Sequence, residues 1–385
     1  MSARRPSVLG VNLAWLVPGV VGGSEEYTIR LLQAVGGYLS PGIRLRLFAR
    51  ADLLATYPDL GGQFETVEVP ATTSKVARIA VENSWLAVRT RQSDAVHHAG
   101  GTVPFLRTAP AIVTIHDLQP LDLPENFHPA KRRWLQRAIP AAAKAARLVI
   151  CPSHFTASRL HERLGVPGDK LRVVPHGHNP ASGQTLDLRD VLDLSNPEAR
   201  YGRYLLYPAI AYAHKRHIDL VRALDVLDGQ FDDVAVVFTG RAGPEMPAVL
   251  AEAERLGVAE RVHALGRVPA AELEALYRSA VAMVFPSGYE GFGNPALEAM
   301  NFGCPAIVSD GGALPEVVED AGLTFPVGNV GAMAAAIGKV LADPLLADDL
   351  RRRGFDRAAR FDVGIAAWRL AEVYREVFEV RRRAR

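Results

Sequence analysis

Short apolar runs alternate with longer stretches of helical period along the whole chain, and few architectures accept that pattern. It is the mark of parallel sheets whose strands are joined by crossover helices. A first series of runs comprises Ser7 to Leu13, Arg44 to Phe48, Ala111 to Ile115, Arg147 to Ile150 and Leu171 to Val174. After Pro175 the pattern stops, because His176-Gly177-His178-Asn179-Pro180 opens a polar stretch to Gly202 with little periodicity, read as a linker. A second series follows, in Tyr204 to Tyr207, Val234 to Thr239, Val262 to Leu265, Ala282 to Pro286 and Pro305 to Ser309.

The 385 residues are about twice the usual size of one domain. The expectation is therefore two Rossmann-like α/β domains, residues 1–185 and 186–364, with a cleft between them where ligands meet the carboxyl ends of the strands. Ile365 to Val380 is helical by period, with Ile365, Trp368, Ala371, Tyr374, Val377 and Phe378 on one face. A helix over about 365–385 is expected to pack back on the first domain, and Arg381-Arg382-Arg383-Ala384-Arg385 reads as its solvated end.

Several function classes drop out on composition. A net charge of +2 without an aromatic-interleaved basic stripe argues against nucleic acid as a partner. The two cysteines, Cys151 and Cys304, have neither pairing nor metal-ligand spacing and read as buried, reduced thiols of a cytoplasmic protein. Arg4-Arg5 ahead of Val8 to Val21 looks faintly like a secretory signal, but Asn12, Pro18 and the lack of a small-residue cleavage site weigh against it. No apolar stretch reaches the roughly 18 residues of a spanning helix.

The densest chemistry lies in Pro286-Ser287-Gly288-Tyr289-Glu290-Gly291-Phe292-Gly293-Asn294-Pro295-Ala296-Leu297-Glu298-Ala299-Met300, directly after an apolar strand. Asn294 as cap and Pro295 at the first helical position predict a helix to about Phe302, ended by Gly303. Free amides at such a start attract phosphate, and Gly291 and Gly293 allow close approach. Glu290 and Glu298, seven residues apart, bracket that site and suit hydroxyls on either side of a diphosphate, Glu290 for a sugar and Glu298 for a ribose. Near the N-terminus, Gly22-Gly23 ends a loop and Ser24 is expected to cap a helix bearing Tyr27, Ile29, Leu31, Leu32 and Val35, with Glu25 and Glu26 in its first turn.

This segment resembles the E-x7-E signature of the retaining family-4 glycosyltransferases, which share the GT-B architecture, and the resemblance extends over essentially the whole chain. It implies that Gly22 and Gly23 lie against the donor diphosphate and that His116, in Thr114-Ile115-His116-Asp117-Leu118, sits near the C6 hydroxyl of the transferred sugar. Asp117 would orient that ring or cap the next turn. His214-Lys215-Arg216-His217 resembles the family's basic motif and places Lys215 on the diphosphate, with Val268 of Gly266-Arg267-Val268-Pro269 meeting the nucleobase through its backbone. Two departures stand out: Ala209 occupies the position of an Arg six residues before Lys215, and the motif's Asn is unmatched, leaving Arg216 and Arg241 as substitutes and His214 as a secondary candidate.

The resemblance implies a retaining transfer from a nucleotide-diphosphate sugar to a glycan, lipid-linked or small-molecule acceptor, without a protein nucleophile. Tyr207-Pro208-Ala209 resembles mannosyltransferase-like branches, so GDP-mannose is the favoured donor and a UDP-hexose the alternative. Asp310, in Ser309-Asp310-Gly311-Gly312, has no partner carboxylate, and neither metal nor cofactor is expected to be required. A GT-B nucleotide-sugar epimerase and a catalytically silent GT-B binding subunit are the competing readings. Two basic, aromatic-bearing segments complete the picture: Ser74 to Gln92, with Val76, Ile79, Ala80, Trp85, Leu86 and Val88 among Lys75, Arg78, Arg89 and Arg91, and Lys131-Arg132-Arg133-Trp134 with Arg137. They are consistent with ordinary crossover helices that make at most weak, salt-sensitive contact with the inner face of a membrane.

Overall fold

The computed structural model describes residues 5–20, 22–179 and 203–383, with side chains to Glu379. Most of the expected linker, the boundary at 185 and the last two residues of the arginine-rich tail lie outside them. The chain divides into two compact units, Met1–Gly177 with Val363–Arg385, and His178–Asp362.

The first unit carries a seven-stranded parallel sheet of β1 (Ser7–Asn12), β2 (Ile43–Ala49), β3 (Glu65–Glu68), β4 (Ala95–His98), β5 (Ala111–Thr114), β6 (Leu148–Cys151) and β7 (Leu171–Val173), in the order β3-β2-β1-β4-β5-β6-β7. Parallel strands covered on both faces should read as continuous apolar runs, and β1, β5 and β6 do. β3 and β4 depart furthest from that rule. β3 is a half-exposed edge with the sequence Glu-Thr-Val-Glu, and the wholly buried β4 ends in His97 and His98. Both histidines are buried with polar partners: His97 Nδ1 meets the Tyr374 hydroxyl at 2.8 Å and its Nε2 the Thr114 hydroxyl at 2.7 Å. His98 Nδ1 lies 3.3 Å from Asn12 Nδ2, which also donates to the buried carboxylate of Glu82.

Helix Val363–Arg383 belongs to this unit. Ala366, Ala367, Leu370, Ala371, Tyr374, Val377 and Phe378 join one core with Tyr27, Leu31 and Leu32 of helix Gly23–Val35. Two members of the expected apolar face do not take part, since Trp368 is 50% exposed and Ile365 40%. The buried stripe runs through Ala366, Ala367, Leu370, Ala371, Tyr374, Val377 and Phe378, and Ile365 and Trp368 lie at its margin. The sequence pattern overstated the width of that face.

The second unit has a six-stranded parallel sheet, β8 (Arg203–Pro208), β9 (Val234–Thr239), β10 (Val262–Gly266), β11 (Ala282–Phe285), β12 (Ala306–Ser309) and β13 (Gly322–Phe325), ordered β10-β9-β8-β11-β12-β13. All its pairings are parallel. In each unit the direction of winding reverses once, beside β1 and β4 in the first and beside β8 and β11 in the second. Crevices at the carboxyl ends of such strand pairs are where open α/β sheets bind ligands. Both cysteines are buried outside any disulfide, and burial pushes the Cys304 thiol up to about 12.

Candidate active site

In the second unit the switch point is formed by the loop after β8, residues 209–216, and the loop after β11, residues 286–293. The first contains Lys215 and the second Glu290, 75 positions apart, and the fold brings them into contact: Lys215 Nζ lies 2.5 Å from Glu290 Oε1. Both side chains are largely enclosed, and the ammonium also sits 5.2 Å from the centre of the Phe285 ring. The Tyr207 hydroxyl donates to the Lys215 carbonyl at 2.7 Å from beneath. The two loops are joined through their backbones as well, since Gly288 N donates to the His214 carbonyl at 2.7 Å.

A third loop supports Glu290 from behind. Ala313 N donates to the Glu290 carbonyl at 3.0 Å, and Gly312, at φ 69°, has no room for a side chain because a Cβ would stand 2.3 Å from that carbonyl oxygen. The Ser309-Asp310-Gly311-Gly312 turn is thus a backbone brace. Asp310 spends an oxygen on Val327 N at 2.8 Å, and among the described residues no three His, Cys, Asp or Glu side chains are grouped to hold a metal ion.

The helix after Glu290 runs Asn294–Asn301, one residue earlier than expected. Gly293, at φ 112°, is the residue that turns the chain into it, so Asn294 is the first helical residue instead of the cap, and its Oδ1 is buried without a partner among the described residues. Pro295 still falls in the first turn, where its missing N–H costs nothing. Gly291, Phe292 and Gly293 form the approach to those helix amides, and Phe292 is buried against Phe361 at 5.7 Å.

Glu298 is held from within its own unit. Its Oε2 accepts the hydroxyl of the fully buried Tyr277 at 2.9 Å, and its Oε1 lies 3.8 Å from His178 Nε2. Neither partner is suggested by the residue spacing, because Tyr277 reads as one more apolar helix position and His178 as part of a turn.

The remaining basic residues separate by role. Arg216 takes a left-handed φ of 55°, ends the short turn at Ala213–Lys215 and pairs with the buried Asp219 at 2.6 Å. His217 Nε2 meets the Ala209 carbonyl at 3.1 Å, so this carbonyl at the end of β8 is engaged by an imidazole. Burial, opposed by that hydrogen bond and reinforced by the Lys215 charge, holds His217 at about 4. His214 is likewise pushed down to about 4 by burial and then by Lys215, and it stacks on Tyr212 at 6.0 Å. Arg241 is exposed beyond β9. Val268, after β10, is half-buried against the core.

In the first unit the switch-point loops follow β1 and β5. Gly22 adopts φ 79° and ψ −138°, a conformation open in practice only to glycine, and its carbonyl accepts from Glu25 N at 2.9 Å. The helix starts at Gly23 with Gly22 as cap, and the expected Ser24 cap is not formed. Glu25 does more than favour a helix dipole: its carboxylate accepts Gly19 N at 2.9 and 3.0 Å and the Tyr57 hydroxyl at 3.0 Å, which fixes the glycine loop.

His116 stands edge-on to Tyr27, with ring centres 5.4 Å apart, and is tilted against Trp15 at 6.2 Å. Its Nε2 meets the Ala99 carbonyl at 3.1 Å, and burial holds the ring neutral, at about 4, against the opposing effect of that bond. Asp117 accepts Gln119 N at 2.9 Å and so caps the turn that follows.

Residues 21–182 match the family model for Glycosyltransferase Family 4, and residues 195–357 match that for Glycosyl transferases group 1. The chain is 28% identical over 270 residues to the O-antigen chain mannosyltransferase B of Escherichia coli, covering 70% of this chain and 71% of that protein. It is 25% identical over 291 residues to the O-antigen chain mannosyltransferase RfbU of Salmonella typhimurium, covering 72% and 75%. Among solved structures, the sucrose-phosphate synthase of Thermosynechococcus elongatus superposes with a TM-score of 0.76 at 21% identity, over 97% of this chain and all of that one. Anabaena Alr3699/HepE in complex with UDP-glucose gives 0.74 at 20% identity, over 96% and 99%. These structures fix the fold as GT-B.

Proposed function

Since this chain belongs to the glycosyltransferases, with a family 4 segment followed by a group 1 segment, its substrate is an activated sugar, and we propose that it is a retaining hexosyltransferase that moves mannose from GDP-mannose to an acceptor hydroxyl. The observation that carries this reading is the enclosed Lys215–Glu290 pair at the β8/β11 switch point, one turn ahead of the start of helix Asn294–Asn301. Lys215 and the positive end of that helix balance the charge of the departing diphosphate. Glu290 faces the sugar as positive charge grows at its anomeric carbon, Glu298 takes the ribose, and the Val268 backbone takes the base. Gly22 and Gly23 bring amide backbone to the diphosphate, and neutral His116 serves the C6 hydroxyl. The bond from the anomeric carbon to the phosphate oxygen breaks as that to the acceptor oxygen forms on the same face, and a phosphate oxygen receives the acceptor's proton.

The two mannosyltransferase relatives support mannose as the sugar, and the UDP-glucose bound to the Anabaena protein supports a UDP-hexose as the alternative. Neither a metal nor a cofactor has a part in this scheme, because lysine and helix amides provide the positive charge. Sugar release and transfer from GDP-mannose, UDP-glucose and UDP-galactose in excess EDTA test the reading. GDP-mannose is expected to turn over fastest, a faster UDP-hexose would reassign the donor, rescue by added Mg2+ would overturn the metal-free scheme, an epimerised sugar nucleotide would make the protein an epimerase, and no turnover with any donor would make it a binding subunit.

A weak contact with anionic lipid is part of the same proposal. No single described helix is long and apolar enough to cross a membrane. In the first unit, however, Val76 is 77% exposed, Phe105 74% and Leu106 65%. The Asn83 side chain accepts from the Phe105 and Leu106 amides at 2.8 and 3.3 Å and so presents their side chains outward from the helical segment Lys75–Arg89. Trp85 and Leu86, grouped with Val76 in the sequence of this segment, turn inward against Phe48 and its cluster. Lys75 is close enough to Lys131 to depress it further, after burial, which brings the two basic segments together. Apolar tips among cations suit the surface of an anionic bilayer.

A further inference from the structure

His178 is the first residue of its unit and Asp362 the last. The two are paired in an isolated parallel bridge, with His178 N donating to the Phe361 carbonyl at 2.9 Å. One residue on, the Asn179 carbonyl accepts from Asn301 Nδ2 at 3.3 Å, at the far end of the helix that contains Glu298. The imidazole of His178 is 6% exposed and points its Nε2 at Glu298 Oε1, 3.8 Å away, inside ion-pair range and beyond a hydrogen bond. On the other oxygen stands Tyr277, whose hydroxyl reaches Glu298 Oε2 at 2.9 Å and the Pro295 carbonyl at 3.3 Å while its ring packs on Phe302 at 5.7 Å.

A carboxylate in a helix has several staggered rotamers, and most of them would carry its oxygens away from a ligand at the helix start. Hydrogen-bonded at one oxygen and faced at the other by groups that belong to two other elements, Glu298 is biased toward one orientation. Pre-orientation of this kind removes the entropy otherwise lost on binding and sharpens selectivity for the hydroxyl group that the carboxylate accepts.

We infer that Tyr277 and His178 are positioning residues for Glu298 and thereby set how strongly the site prefers a ribose with free hydroxyls. The inference rests on the assignment of Glu298 to the ribose made above. It adds two residues that touch no substrate, one in the helix Ala270–Ser279 and one where the chain enters the unit.

The test is the ratio of affinities for GDP and 2′,3′-dideoxy-GDP, with the UDP pair measured in parallel, on the full chain. Tyr277→Phe removes one hydroxyl and leaves the ring, and is expected to lower the ribose preference about tenfold, as befits a hydrogen bond to a charged group. His178→Leu keeps the volume and is expected to lower it about threefold, since a polar contact at 3.8 Å is weaker than a hydrogen bond. A general loosening of the fold would weaken both nucleotides equally and leave the ratio unchanged, which would overturn the inference. Glu298→Gln separates the two layers of the argument. If that variant keeps the wild-type ratio, Glu298 does not read the ribose and the assignment itself falls; if it loses the preference while Tyr277→Phe and His178→Leu retain it, the positioning roles alone are wrong.

Discussion

Lys215 Nζ and Glu290 Oε1 stand 2.5 Å apart at the carboxyl ends of two adjacent strands, each the principal counter-charge of the other. In the scheme proposed above, the lysine assigned to the diphosphate is thus paired with the carboxylate assigned to the sugar. Removing either residue therefore changes what the other can do.

Lys215→Ala should weaken nucleoside diphosphate binding by about tenfold to a hundredfold and lower turnover further, because its charge acts more strongly on a group that is leaving. Titration of the variant with GDP and UDP is the direct measurement. Wild-type affinity would transfer the diphosphate role to Arg216 or Arg241.

Glu290→Gln should behave differently. Turnover is expected to fall by about a hundredfold or more, while affinity for the nucleoside diphosphate stays equal or rises, since the change releases Lys215 for the phosphates. Steady-state transfer kinetics together with GDP binding separate the two effects. Parallel losses of both would mean that the carboxylate only holds the lysine in place.

Gly312→Ala should lower both stability and activity. The substituted Cβ would stand 2.3 Å from the Glu290 carbonyl oxygen, at φ 69°, and an alanine forced into positive φ costs more than about 1 kcal/mol before any clash. Thermal unfolding and turnover check it. An unperturbed midpoint with full activity would show that the brace is dispensable.

Acid should destabilise the fold well above the range of ordinary carboxylates. Burial holds His97 and His98 at about 3 and, together with the contacts described above, leaves His116, His214 and His217 at about 4, all below the usual 6.5. Between those values the unfolded chain binds more protons than the native one, so stability is present above pH 6.5 and is lost as pH falls toward 4. Each tenfold difference in proton affinity between the folded and unfolded states corresponds to about 1.4 kcal/mol per group. Glu82, raised by burial, works in the opposite direction but is a single group. Denaturant unfolding at pH 7, 6 and 5 should show the decline, and a constant unfolding free energy would contradict the neutral, enclosed state of these rings.

Co-sedimentation with vesicles should show binding to anionic lipid at low salt that is lost at high salt, with Phe105→Ser and Leu106→Ser weakening it. Tight binding to neutral vesicles would point to an apolar anchor instead. No binding to either kind would leave the basic clusters as plain surface.

What the sequence determined by itself was whatever depends on residues close together in the chain. Alternating apolar runs specify strands and crossovers through the 3.6 and 2-residue periods of the backbone. Glycines before a Pro-led helix specify a tight loop and a helix start, so Glu290, Gly291, Gly293 and Glu298 stand out from their spacing alone. Even there the cap was misplaced by one residue, because Gly293 and Asn294 are both good caps and the packing of Leu314 on Gly293, where a Cβ would lie 2.5 Å from Leu314 Cδ2, decides between them. β3 and β4 were hidden for a related reason. A polar edge and a pair of histidines do not look like sheet until Tyr374, Thr114 and Asn12, from 17 to 277 positions away, satisfy the imidazoles.

Only the tertiary structure decided the pairings. That Lys215 meets Glu290, that Glu25 fastens the Gly19 loop, and that Tyr277 and His178 flank Glu298 all follow from strand order. The reversal of winding places β8 beside β11 and β1 beside β4, and no local propensity encodes which strand ends become neighbours. Charge and hydrogen bonding act over a few ångströms of space, whatever the separation along the chain, so the partners of these residues become legible only when the sheet has formed.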